Sequence, residues 1–186
     1  MPIRVIAGSA KGRRLRMVSG EVARPIRDQV KGALFNILGP AIEECSFLDL
    51  FAGTGSVGIE ALSRGAAQVT FVEKHPRAVE TIQFNLEQTG LSDRARVIQG
   101  DVFNVLGGGT RLRFDFAYVA PPQYSELWSK TLGKLDQPGD WLNPDAWVVA
   151  QIDPKEYATL ELERLVEIDQ RKYGQTLLVF YERPGD

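Results

Sequence analysis

A chain of 186 residues, 44% hydrophobic and 25% charged, has the make-up of one globular domain with room for a small appendage. Its single cysteine and single histidine exclude an internal disulfide framework and a metal centre built on those residues, and no apolar run of about 18 residues is present to span a bilayer. The net charge of −2 hides an asymmetry: residues 1–36 hold eight basic and two acidic groups, the remainder 14 basic and 22 acidic, so a polyanion is expected at the amino-terminal end.

Residues 3–6 and 15–18 read as short strands. The loop AGSAKGRR between them carries two glycines and three cations, which predicts a basic two-stranded hairpin. The opening residues lack an apolar signal segment, so a reducing cytoplasmic compartment is expected. Arg24-Pro25 starts a connection. Apolar residues at 26, 30, 33, 34, 37 and 38 then recur at helical spacing, and Gly39-Pro40 stops that helix.

From residue 46 strands and helices alternate. A strand over 47–51 leads through AGTGSVG into a helix ending near Arg64. A strand over 69–73 is followed by a helix over 76–88, with Pro76 in its first turn and Gly90 beyond its end. A strand over 96–99, a short helix over 101–106 and a glycine turn at 107–109 come next. The strand over 114–119 is closed by Pro121-Pro122. A helix over 126–135 and strands over 147–152, 165–169 and 176–182 complete the chain. Alternation of this kind predicts a doubly wound parallel sheet. The last two strands have only a short turn between them, so they must pair antiparallel. A boundary near residue 42 divides the chain into a basic segment, 1–42, and an α/β body, 43–186.

The chemistry concentrates in LDLFAGTGSVGIEALSRG. Gly53, Gly55 and Gly58 fit G-x-G-x-x-G between a strand and a helix, where backbone passes close to a ligand and the helix start offers free N–H groups. Glu73 ends the second strand, 20 residues beyond Gly53, where a carboxylate suits both hydroxyls of a ribose. Asp101, after the third strand, is placed to read an adenine amino group. A dinucleotide leans its pyrophosphate on the helix start; S-adenosylmethionine has no phosphate and needs an acid for its ammonium. Asp49, within the first strand, is placed to meet that amine or to orient the loop, and it favours the methyl donor.

Four strings, in this order along nearly the whole chain, resemble the RsmD family of bacterial 16S rRNA (guanine-N2) methyltransferases. They are RVIAGSAKGRRL, ARPIRDQVKGALFNIL, DLFAGTGSVGIEALSRGA and KYGQTLLVFY. The resemblance implies a class I SAM-dependent methyltransferase fold: α/β, Rossmann-like, with a seven-stranded sheet of order 3-2-1-4-5-7-6, strand 7 antiparallel, and an N-terminal hairpin extension. It implies S-adenosyl-L-methionine as cofactor, met by Asp49, Phe51, Gly53, Gly55, Glu73, Lys74, Asp101 and Val102. It also implies that the N-terminal segment meets RNA through Arg4, Lys11, Arg13, Arg14, Arg24 and Arg27. The expected partner is 16S rRNA or the assembling small subunit, acted on by a cytoplasmic monomer with no membrane and no metal.

After the fourth strand such enzymes carry Asp/Asn-Pro-Pro-aromatic. An exocyclic amine conjugated to a base is a poor nucleophile. The acidic or amide side chain and the next backbone carbonyl accept its two hydrogens, and the aromatic stacks on the flipped base. This chain reads Ala120-Pro121-Pro122-Gln123-Tyr124, and these five residues are the expected catalytic set. Ala120 stands where the acid or amide is expected, and Gln123 where the aromatic is expected. One unmade hydrogen bond to a reacting amine costs about 1–3 kcal/mol, roughly one to two decades in rate. Gln123 offers a substitute carbonyl, Tyr124 a ring, and Ala120 and Pro121 their backbone carbonyls. Two other readings compete. One is a catalytically weakened RNA-binding protein on the same fold. The other is a dinucleotide-dependent oxidoreductase, for which the one histidine, His75, lies in the wrong loop. Cys45, Trp128, Trp141 and Trp147 read as packing residues.

Overall fold

Residues 47–50, apolar except for Asp49, become the centre of the sheet. The computed structural model describes residues 2–20, 25–139 and 141–185. In it β3 (Ser46–Leu50) lies between β4 (Gln68–Glu73) and β6 (Phe114–Val119), parallel to both. Beyond β4 lies β5 (Ala95–Gln99). Beyond β6 lie β7 (Leu142–Ile152), β9 (Thr176–Glu182) and the edge strand β8 (Val166–Tyr173), with β9 antiparallel to both neighbours. Counted from β3, the order is 3-2-1-4-5-7-6 with the seventh strand reversed, as expected.

Strand side chains alternate between faces, so one sheet builds two cores. Phe47 and Phe71 pack under α1 (Asp28–Leu38), α2 (Ser56–Ser63) and α3 (Pro76–Thr89), against Leu34, Ile59 and Ile82. Leu48, Leu50 and Val72 pack on the other face under α4 (Val102–Gly107) and α5 (Leu127–Asp136), against Leu106, Trp128 and Leu132. Cys45 and Trp141 are buried, and Trp147 is half-buried between Phe116 and Phe180.

The N-terminal hairpin forms, but its strands are shorter than expected. β1 (Ile3–Arg4) pairs antiparallel with β2 (Arg14–Leu15). Beyond Val5, whose N–H still donates to the Arg13 carbonyl, pairing stops because the amides are taken elsewhere: the N–H groups of Ile6 and Ala7 donate to Glu60 on α2 at 2.9 and 3.0 Å. The hairpin loop seats on the end of the same helix. Ser9 N–H donates to the Ser63 carbonyl, and Ala10 N–H to Ser63 Oγ. Gly8, at φ +84°, comes so close that a Cβ would lie 1.9 Å from the Ser63 oxygen. Ile3, Val5 and Leu15 thereby join the core that α1–α3 share with the sheet.

Two strand ends also differ from expectation. β7 begins at Leu142 rather than near 147, because a register irregularity between Phe114 and Phe116 absorbs the Pro144–Asp145 interruption. β8 runs on to Tyr173, its polar sequence fitting an edge strand with one solvated face.

Candidate active site and nucleic-acid interface

The order in which successive strands are added reverses between the parallel neighbours β3 and β6, and the carboxyl ends of strands at such a point form a crevice. The glycine loop enters there. Asp49 is fully buried, and its Oδ2 accepts the Gly58 N–H at 3.0 Å. Burial pushes its carboxyl well above the usual range, with the Gly58 amide pulling the other way. Of the two roles open to Asp49, this geometry supplies loop orientation. Gly58 must be glycine, because a Cβ would lie 2.3 Å from the Phe71 ring. Gly55 adopts a left-handed conformation at the start of α2, and Phe51 is strained in the same region at φ 60°.

Glu73 closes the loop. Its Oε2 accepts the Gly53 N–H and its Oε1 the His75 N–H, both at 2.9 Å. A carboxylate has about four acceptor positions, so each oxygen keeps one for a ligand. This buried, doubly anchored carboxyl fits a vicinal diol. Asp101 caps α4: its Oδ1 accepts the N–H groups of Phe103 and Asn104, and Oδ2 takes part in neither bond. Lys74 is exposed, whereas Val102 is buried in the first turn of α4.

The Pro-Pro turn leaves β6 beside this loop. Ala120 and Pro121 are half-buried; Pro122, Gln123 and Tyr124 are exposed. Tyr124 takes a left-handed conformation at φ 58°. Its N–H donates to Glu156 Oε1 at 2.7 Å and its hydroxyl to Asp153 Oδ2 at 2.8 Å. The bond to Asp153 raises the Tyr124 phenol, while the Lys155 amide and then the Tyr124 hydroxyl hold Asp153 below the usual range. Asp153 and Glu156 escaped notice in the sequence, although Asp-x-x-Glu is the pattern of a capping box and forms one here. Inside the sheet, the Tyr118 hydroxyl donates to Gln151.

At the basic end, Lys11, Arg13, Arg14 and Arg27 are exposed. Arg4 pairs at the surface with Asp28 at 3.0 Å, and Arg24 lies outside the described residues. Lys31, one of the eight cations counted toward a polyanion, is not at the surface. It is 0% exposed and donates to the Arg4 carbonyl at 2.7 Å and to Ser56 Oγ at 2.8 Å. Its Nζ lies 3.5 Å from Glu60, which also pairs with Arg64 at 2.9 Å. Desolvation lowers the Lys31 pKa against the opposing pull of Glu60. Asn85 is a second link: it accepts the Arg16 N–H and donates to the carbonyls of Arg16 and Thr54, joining the basic segment to the glycine loop. Asp115, on β6, accepts from Ser46 and Asn143 and so ties β6 to both neighbours.

Among the described residues no group of three or more His, Cys, Asp or Glu is arranged to hold a metal ion, and no helix is long and apolar enough to cross a membrane.

The family model described as Conserved hypothetical protein 95 matches residues 3–182. YlbH of Bacillus subtilis (strain 168) is 35% identical over 184 residues, covering 98% of this chain and 100% of the relative. Ribosomal RNA small subunit methyltransferase D of Haemophilus influenzae is 35% identical over 153 residues, 81% of this chain and 79% of its own length. Among solved structures, yhhF from Escherichia coli superposes with a TM-score of 0.87 at 28% identity, over 100% of both chains. An RNA methyltransferase from Salinibacter ruber, in complex with S-adenosyl-L-homocysteine, shares the fold with a TM-score of 0.66 at 17% identity. That likeness covers 88% of this chain and 95% of the other.

Proposed function

This chain belongs to the RsmD family, and from that membership we propose that it transfers the methyl group of S-adenosyl-L-methionine to the exocyclic N2 amine of a guanine in small-subunit ribosomal RNA. The observation that carries the reading is the Glu73 carboxyl, fixed by two backbone amides at the end of β4 with acceptor capacity left over. When bound, the cofactor supplies a sulfonium-activated methyl group and a neutral thioether leaving group. The chain's own residues supply position. Glu73 takes the ribose hydroxyls, Asp101 and Val102 the adenine edge, and Phe51, Gly53, Gly55 and Lys74 line the crevice that Asp49 orients. The carbonyls of Ala120 and Pro121, with the Gln123 side chain, accept the amine hydrogens and turn its lone pair toward the methyl group. Pro122 fixes the turn and Tyr124 stacks on the base.

Residues 1–42 form the RNA-facing part. Lys11, Arg13, Arg14, Arg24 and Arg27 meet phosphates. An exposed ion pair contributes at most about 1 kcal/mol, so a phosphate can draw Arg4 from Asp28. The partner is 16S rRNA or the assembling small subunit, and the enzyme acts as a cytoplasmic monomer. Tritiated-methyl transfer to small-subunit rRNA from a strain lacking the protein, followed by nucleoside mass spectrometry, tests the reading. N2-methylguanosine is the expected product. RNA binding with no transfer would identify a weakened binder instead, the outcome that Ala120 makes worth testing.

Two results should follow. RNA affinity should fall steeply with salt, because phosphate contacts release counterions, and the double reversal Arg13→Glu, Arg14→Glu should weaken it with donor affinity unchanged. Filter binding and calorimetry measure the two; RNA affinity that survives both changes would reduce the basic segment to a solvated face. For the amine acceptor, Gln123→Ala should cut turnover about tenfold with donor affinity unchanged, and Ala120→Asp should not raise it. Were Ala120 a simple defect, Ala120→Asp would instead raise the rate by roughly one to two decades. The two outcomes have opposite signs.

A further inference from the structure

Tyr124 holds a strained left-handed backbone while 64% exposed. Burial does not keep it there; the hydrogen bonds it donates to acceptors beyond another strand end do. Its two acceptors, Glu156 Oε1 and Asp153 Oδ2, belong to one turn that follows β7. That turn is itself closed. The Asp153 N–H donates to Glu156 Oε2, and the Lys155 N–H to Asp153 Oδ1. Each carboxyl therefore uses one oxygen on its own turn and the other on Tyr124. Both ends of the residue, amide and phenol, are fixed to the turn after β7 while the ring stays in solvent. Backbone strain that the surroundings enforce on an exposed aromatic calls for a purpose other than packing.

We infer that Asp153 and Glu156 are positioning residues, which hold the Tyr124 ring as a preformed stacking platform for the purine that enters the site. The inference rests on the proposed transfer to guanine and extends it to a second strand end. A ring already ordered by its hydroxyl and amide loses little freedom when a base stacks on it. The clamp also bears on Gln123. The prolines restrict the chain on one side of it, and the anchored Tyr124 restricts it on the other.

Methyl transfer to small-subunit rRNA lacking the modification provides the test. Failure of the unaltered enzyme to transfer would overturn the proposed function, separately from the clamp. Given transfer, Tyr124→Phe keeps the ring and loses the hydroxyl. It should lower kcat/KM for rRNA about three- to tenfold, with the KM for the methyl donor unchanged. Asp153→Ala should match it, and the double variant should be no worse than either single one. Asp153→Asn, which keeps an acceptor oxygen, should recover most of the loss. Tyr124→Phe at parental efficiency would overturn the inference. So would an Asp153→Ala loss that adds in full to that of Tyr124→Phe, since Asp153 would then act only on the stability of its own turn.

Discussion

Glu60→Ala is expected to lower the unfolding free energy by about 3–5 kcal/mol, the range for removing one partner of a buried ion pair. Glu60 is 0% exposed and faces Lys31, equally buried, with Arg64 on its other oxygen. It also accepts the amides of Ile6 and Ala7. Alanine at this position leaves a buried ammonium without its carboxylate counter-charge and two N–H groups without their acceptor. Release of the Lys31 proton limits the loss, because desolvation already lowers its pKa. Urea unfolding measures the change as a shifted midpoint at constant slope. In a domain of this size each kcal/mol corresponds to roughly 2–4 °C in Tm. Adding Lys31→Met to Glu60→Ala should restore part of the stability, since no unpaired charge then remains on α1. A single-variant loss below about 1 kcal/mol would place this cluster with surface ion pairs rather than with buried ones.

Glu73→Ala should weaken S-adenosyl-L-methionine binding at least tenfold, from the roughly 1.5–3 kcal/mol that a hydrogen bond to a charged acceptor contributes. In the proposed function the carboxyl has two tasks: to offer acceptors to the ribose and, through the Gly53 amide it accepts, to hold the glycine loop in place. Glu73→Gln should lose less, because one acceptor oxygen remains. Titration calorimetry with the methyl donor decides; an unchanged dissociation constant would remove Glu73 from the site.

Much of the sheet could be read from the chain. The strand over 114–119 and the glycine triplet after 47–51 lie where local signals put them. The reversal at the end followed from a turn too short for a crossover helix. Strand order itself came from the resemblance, since alternation alone does not say on which side of β3 the later strands lie. The candidate site was legible where it is local. The loop Gly53–Gly58, Glu73 and Asp101 are each set by position relative to a strand end.

What escaped was partnership across the chain. Lys31 read as one more cation of a basic face, and nothing in its own neighbourhood names Glu60 or Ser56 as its destination. Tyr124 read as an aromatic displaced by one place, and its clamp lies 29 and 32 residues away. Asn85 reaches the Arg16 backbone across 69 residues. Periodicity, turn chemistry and glycine spacing act between residues a few positions apart, so the sequence by itself determined most of the elements, the glycine loop and the charge asymmetry. Which cation is buried, which acid serves as an anchor and which ring is held in solvent depend on contacts made only when distant segments pack. A side chain's charge is written in the chain, but its desolvation and its partners are properties of the fold, and tertiary structure alone decided them.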